Sequence, residues 1–153
     1  MAEKDIRELV AFRIDAEEFA VDIASVHEIN RITEITRIPN APAHVQGVIN
    51  LRGKIVPVVN LRKMLGFERK EADTQSRIIV VEIGGMVFGF LVDSVSEVVR
   101  LPGTSVDEPP TFSSGMESSY IDGVGKVDDR LLILLNLHRM FITSEGGKGF
   151  APD

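Results

Sequence analysis

Apolar positions along this chain come in short runs, each closed by glycine, proline or a cluster of charges. Leu9 to Ile14 and Phe19 to Ile23 read as two strands around a turn at Asp15-Ala16-Glu17-Glu18. Their β-branched and aromatic residues favour a pleated, buried surface, and the runs are too short for typical helices. Ala24 to Ile29 reads as a helical turn entering another strand, which continues through Ile32, Ile35 and Ile38. Pro39-Asn40-Ala41-Pro42 stops it, because proline cannot donate to a ladder.

The stretch Gly47 to Leu61 organises the rest. Val48, Ile49 and Leu51 form one apolar run and Ile55, Val56, Val58 and Val59 a second, joined by a tight turn at Gly53, where glycine accepts positive φ at little strain. Leu51 and Ile55 are expected to face the core, which leaves the Arg52 guanidinium at the lip of the hairpin, either in water or on a contact surface. Pro57 fits only an edge or bulge position. Leu61 to Leu65 reads as a short helix closed by Gly66. The polar residues 68–76 read as an exposed connector.

The pattern then repeats. Ile78 to Ile83 and Met86 to Val92 read as strands around Gly84-Gly85. A shift of 69 places Ile14 on Ile83, Phe19 on Phe88, Ser25-Val26 on Ser94-Val95 and Glu28 on Glu97. After the Pro-, Ser-, Thr- and Gly-rich loop at 103–119, a shift of 76 places Gly47-Val48 on Gly123-Val124, Lys54-Ile55 on Arg130-Leu131 and Asn60-Leu61 on Asn136-Leu137. Strands and turns recurring in one order indicate duplication. Each half supplies about five short strands and a closing helical turn, and closure into a small barrel removes exposed edges. The expected fold is all-β: two five-stranded barrels from an internal repeat, sharing a core, with short helices. The repeat disfavours the alternative of one large sandwich. The boundaries expected are a single domain at 9–143, a first barrel at about 9–66 and a second at about 77–143, with terminal elements open to exchange. Residues 1–8 and 144–153 are expected to be flexible ends.

Composition narrows the function classes. The 153 residues include no cysteine, which excludes disulfides and thiolate metal sites. The net charge of −6 argues against non-specific nucleic-acid binding. No run approaches a membrane span, and the start lacks the basic-then-apolar order of a signal peptide, so a soluble cytoplasmic protein is expected. His27, His44 and His138 have no partners at metal-ligand spacing. Ser113-Ser114-Gly115 is a polar loop rather than a nucleophile elbow. Gly146-Gly147-Lys148-Gly149 lacks the gap and hydroxyl of a phosphate loop, and Gly123-x-Gly125 lacks the third glycine of a dinucleotide fingerprint. Asp15, Glu17 and Glu18 cluster in a turn where solvation accounts for them. No catalytic residue, metal or cofactor is expected. Small residues and isolated charges at the hairpins leave room for a partner's backbone or helix to approach, with turn formation as the plainer role of the glycines.

These residues resemble the CheW family of bacterial chemotaxis coupling proteins from about Leu9 to Phe141. The resemblance rests on Glu18-Phe-Ala-Val-Asp-Ile23, Val26-x-Glu28-Ile29, Pro42-Ala43, Gly47-Val-x-Asn-Leu-Arg-Gly53, Ile55-Val-Pro-Val58, Leu61-Arg62, Val92-Asp93-x-Val95 and Ile121-x-Gly123-x-Gly125. It implies SH3-like barrels and a non-catalytic adaptor that links the cytoplasmic tip of chemoreceptors to the regulatory domain of the histidine kinase CheA. It also implies a place in the cytoplasm at membrane-associated receptor arrays. Receptor contact is implied for Val26, Glu28, Gly47, Asn50, Arg52, Gly53 and Gly89, and kinase contact for Ile55 and Gly123. The chain departs from the family pattern at Asn60, where many members have aspartate, and at Gln46, often lysine. The alternatives are an array-capping protein that binds without activating the kinase, and a coupler in a non-flagellar pathway.

Overall fold

Short apolar runs separated by tight turns produce eleven strands and two short helices in the computed structural model, which describes residues 5–42, 44–108 and 120–141. The first repeat holds β1 (Ile6–Ile14), β2 (Glu17–Asp22), β3 (Val26–Arg31), β4 (Val45–Leu51), β5 (Lys54–Val59) and α1 (Leu61–Leu65). The second holds β6 (Arg77–Ile83), β7 (Met86–Val92), β8 (Ser94–Pro102), β9 (Val106–Asp107), β10 (Ile121–Val127), β11 (Arg130–Leu135) and α2 (Leu137–Phe141). Both helices start on an asparagine cap: Asn60 Oδ1 accepts from the Lys63 amide at 3.1 Å and Asn136 Oδ1 from the Arg139 amide at 2.9 Å. Aspartate caps through the same acceptor oxygen, so Asn60 preserves this function. Gly66 ends α1 in the left-handed region at φ 84.

The strands form two SH3-like barrels. One sheet runs in the order β3-β6-β7-β5-β4, the other β8-β1-β2-β11-β10-β9. Sheet membership therefore does not follow the two halves, 9–66 and 77–143. Instead, the leading hairpin of each repeat joins the other repeat's strands. β1 pairs with β8 and β2 runs parallel to β11, while β6 pairs with β3 and β7 runs parallel to β5. The exchange is reciprocal to the residue: Leu134 pairs with Ala20 and Val58 with Gly89, positions related by the shifts of 76 and 69. Pro57 lies opposite Val48, just outside the parallel pairing of β5 with β7, which covers Val58 and Val59. The ladder there needs no donor from it.

Exchange explains why the leading hairpins are apolar on both faces. On β6, Ile78 and Val80 point into their own barrel beside Ile49, Val56 and Val58. The alternate residues Ile79 and Val81 enter a second core with Val10, Phe12, Phe19, Val21, Phe88 and Phe90. On β1 and β2 the division is the same, with Leu9, Ala11 and Ala20 facing the other barrel's interior. The central core thus draws on both sheets, and the rings of Phe12 and Phe90 meet across it at 5.7 Å. Fully burying one such side chain contributes about 1.5–3 kcal/mol.

Three expectations need correction. The strand after the Ile23–Ser25 turn stops at Arg31, and beyond it Thr36 makes a single bridge to Val48. Ile32 and Ile38 remain exposed because no strand covers them. Of the lead-in expected to be flexible at 1–8, Ile6, Arg7 and Glu8 instead extend β1 against Pro102, Leu101 and Arg100, and residues 1–4 lie outside the described residues. The 103–119 loop begins with a 3-10 turn at Gly103–Ser105 and the two-residue strand β9. Its remainder from 109, the end at 144–153 and the Ser113 and Gly146 stretches lie outside the described residues.

Candidate functional site

The hairpin of β4 and β5 turns on Arg52 and Gly53, whose φ values of 51 and 88 are both positive. A two-residue turn with this geometry matches the twist of the flanking strands. The sequence marked Gly53 for such a backbone but not Arg52. Asn50 Oδ1 accepts the Gly53 amide at 2.8 Å and braces the turn. Arg52 reaches back to β3, where its two terminal nitrogens donate to the two Glu28 carboxylate oxygens at 3.1 and 2.5 Å. This paired fork fixes the guanidinium plane as well as the charge. The hydrogen bond from Arg52 holds the Glu28 carboxyl below its ordinary value, against the opposing effect of burial, and Glu28 raises Arg52 in turn. The Arg52 side chain is 70% exposed and that of Glu28 21%. The lip therefore presents a held, accessible cation over a mostly covered anion.

Other residues expected at the site fall in different settings. Val26 is half-buried on β3, two positions before Glu28. Gly47 is buried on β4, where a Cβ would lie 2.4 Å from the Thr36 carbonyl oxygen, so the close approach that needs glycine comes from this chain. Gly89 is buried on β7, where a Cβ would lie 3.0 Å from Ile78 Cγ2. Ile55 does not face the core; it is 66% exposed, because the turn sets the phase of β5 so that Val56 points inward. Gly123 is buried on β10 in the other barrel, where a Cβ would lie 2.9 Å from the Asp107 carbonyl oxygen. Glu28, Asn50, Arg52 and Gly53 come together; Gly89 and Gly123 stand apart from them.

Two further charge clusters escaped the sequence reading. Arg130 Nη2 donates to Glu97 at 2.7 Å, and its Nε lies 3.4 Å from Glu18. Glu18 is only 7% exposed, so solvation does not account for it. The repeat held part of the signal, since the shift of 69 sets Glu97 on Glu28. The second cluster joins the barrels. Arg62 on α1, 9% exposed, donates to the Asp15 carboxylate, to Asp93 at 2.9 Å and to the Glu68 carbonyl. Asp93 also accepts the Asp15 amide at 2.7 Å. Burial pushes the Asp93 carboxyl up, but the Asp15 amide and Arg62 outweigh it and leave it below its ordinary value. Asp15 belongs to the β1–β2 turn of one barrel and Arg62 to the helix after β5 of the other, so this knot ties the two. Asp15 is thus not simply a solvated turn residue.

None of these clusters has the form of a catalytic centre. His27 lies 3.9 Å from Glu82 with both side chains about half exposed. His44 is pushed below its ordinary value by burial and by Lys63. No group of residues able to hold a metal ion occurs among the described residues. No helix among them is long and apolar enough to cross a membrane.

Comparison with known proteins gives a consistent family. The CheW-like domain matches residues 8–145. The chain is 38% identical over 139 residues to a chemotaxis protein CheW of Rhizobium meliloti, covering 91% of this chain and 90% of the relative. It is 34% identical over 139 residues to the chemotaxis protein CheW of Klebsiella aerogenes, covering 91% and 84%. Among solved structures, the scaffolding protein TtCheW from Thermoanaerobacter tengcongensis superposes with a TM-score of 0.81 at 37% identity, covering 90% of this chain and 88% of that one. Members of this family are adaptors in chemotaxis signalling. From its motifs, its paired barrels and these matches, the chain belongs to the CheW family.

Proposed function

We propose that this chain is a non-catalytic cytoplasmic adaptor that couples chemoreceptors to the histidine kinase CheA in a bacterial chemotaxis array. The observation that carries this reading is the family match over nearly the whole chain. The exposed hairpin lip supports it by supplying a surface suited to a helical partner. In this reading the receptor tip meets Arg52 and Glu28 directly, with Val26 beside them and Asn50 and Gly53 holding the turn. Gly47 and Gly89 contribute by keeping β4 and β7 in place rather than by touching the partner. The kinase regulatory domain meets the exposed Ile55, and Gly123 maintains the β9–β10 contact on the other barrel. The protein reaches the membrane-associated array through these partners and inserts into no bilayer.

The test is a pair of titrations, receptor fragment and kinase regulatory domain, against wild type, Arg52→Ala and Arg52→Lys, with a thermal melt on each. Arg52→Ala should weaken receptor binding by about fivefold or more, the level that separates contributing interface residues from the rest. Its melt should fall by no more than about 2 °C, the small loss of an exposed ion pair, and its kinase affinity should be unchanged. Lysine should restore part of the loss, because it keeps the charge without the planar fork. Unchanged receptor affinity in a folded Arg52→Ala would remove the hairpin lip from the receptor site.

A further inference from the structure

Between the segment that follows β3 and the 68–76 connector lies a recess of about 510 Å³. Small-molecule sites commonly enclose roughly 300–1,000 Å³. Four cations line it, Arg37, Arg62, Arg69 and Lys70, against two carboxylates, Glu71 and Asp93. That is a local excess of positive charge in a chain of net charge −6.

The state of each charge sharpens the picture. Arg62 is committed to the inter-barrel knot. Asp93 is committed too, since it accepts from Arg62 at 2.9 Å and from the Asp15 amide at 2.7 Å. Lys70 stands 3.5 Å from this already occupied carboxylate. Arg69 pairs with Glu71 at 3.5 Å with both side chains 84% exposed, an arrangement that contributes little. Arg37 has no hydrogen-bond or ion-pair partner among the described residues. Three cations on two separate stretches of chain thus border one recess with their donors largely unused. Gln46 and Asn60 line the same wall. Asn60 spends its side-chain oxygen on the α1 cap, which leaves its amide nitrogen as a donor.

We propose that this recess binds a small, multiply charged oxyanion through Arg37, Arg69 and Lys70. Two guanidinium forks match the paired oxygens of a phosphate or carboxylate, and the ammonium adds a point charge. Phosphorylated and polycarboxylate metabolites share this chemistry. The bound anion would bridge the segment after β3 to the connector. The site shares no residue with the Glu28–Arg52 lip, so it goes beyond the adaptor reading.

The experiment is calorimetric titration of the full chain with inorganic pyrophosphate, with citrate and with an all-aspartate hexapeptide, each in about 150 mM salt, where long-range attraction between exposed charges is largely screened. Saturable one-to-one binding of pyrophosphate or citrate is expected, and the tighter of the two assigns phosphate or carboxylate as the natural group. The Arg37→Gln/Arg69→Gln/Lys70→Gln variant should bind at least about tenfold more weakly with an unchanged ligand-free melt. The Arg100→Gln/Lys126→Gln variant, which removes two cations from the other barrel, should bind as wild type. Absence of saturable binding by both small anions, equal weakening in the two variants, or binding of the peptide alone would overturn the proposal.

Discussion

Adding one methyl group at Gly47 tests how the first barrel is closed. A Cβ there would stand 2.4 Å from the Thr36 carbonyl oxygen and 2.8 Å from Ile35 Cγ2. Carbon and oxygen come to rest at about 3.3 Å, so the 35–36 segment must retreat by roughly 0.9 Å. Two backbone hydrogen bonds hold it in place, Thr36 amide to Val48 carbonyl at 2.8 Å and Val48 amide to Thr36 carbonyl at 2.9 Å. A retreat of that size breaks both, at about 0.5–1.5 kcal/mol each. Residual strain against Ile35 adds about 1–3 kcal/mol. Reduced freedom of the unfolded chain offsets about 0.4–1 kcal/mol. Gly47→Ala should therefore destabilise by about 1–6 kcal/mol, centred near 3, and at that centre the melt should fall by roughly 6–12 °C. Gly53 provides the contrast, because nothing lies within 4 Å of its Cβ position and only its φ of 88 restricts it. Asparagine tolerates that backbone, so Gly53→Asn should lose less than about 1 kcal/mol. Urea unfolding of the three proteins decides. A Gly47→Ala protein within about 0.5 kcal/mol of wild type, or a Gly53→Asn protein equally damaged, would refute this steric argument.

Other substitutions probe the remaining contacts. Arg62→Met should lower stability by about 2 kcal/mol in urea, because it strips charged hydrogen bonds from Asp93 and the Glu68 carbonyl while the half-exposed Asp15 is partly rescued by water. A neutral result would show that the knot does not hold the barrels. Acid should destabilise in two stages. His44 has a folded value below its ordinary 6.5, so the unfolded state takes the proton first and stability falls as pH drops below 6.5. Glu28 and Asp93 have folded values below their ordinary 4.5 and 3.8, so their contribution is whole above those values and is lost as pH falls through the lower folded ones. Melts from neutral to acid pH should show both stages, and His44→Gln should abolish the first only. Gly123→Glu should weaken kinase binding more than receptor binding, since the Cβ alone meets Val106 Cγ1 at 2.7 Å and disturbs the second barrel. Circular dichroism must show it folded; equal loss of both partners would count against kinase contact at that barrel.

The hairpins were legible because each apolar run ends in a turn residue whose backbone needs are local, as at Gly53 and Gly84-Gly85. The exchange of hairpins was not. Ile78-Ile79-Val80-Val81 is apolar on both faces, so its pattern suits either barrel, and only the long-range pairings of β6 with β3 and of β7 with β5 select one. The outward turn of Ile55 depends on the phase set by the two positive-φ residues beside it, and an arginine at such a backbone position carries no local signal. Glu28 and Arg52 were each singled out by the motifs, but not as a bonded pair 24 positions apart. The Arg62 knot gathers partners 47 and 31 positions away, a relation that exists only once the barrels have docked. The repeat superposes Glu97 on Glu28 but sets its partner Arg130 on Lys54 rather than on Arg52, so only one member of that pair was marked.

The adaptor reading is tested most directly by reconstitution. Initial rates of CheA autophosphorylation would be measured with receptor fragments on vesicles, with this chain, and with both, using wild type and folded Arg52→Ala. Coupling requires that the rate rise well above either single addition only when receptor and wild-type chain are both present, and that Arg52→Ala lower that rise. A chain that binds receptor and kinase yet leaves the rate at the level of receptor alone is a cap on the array and not a coupler.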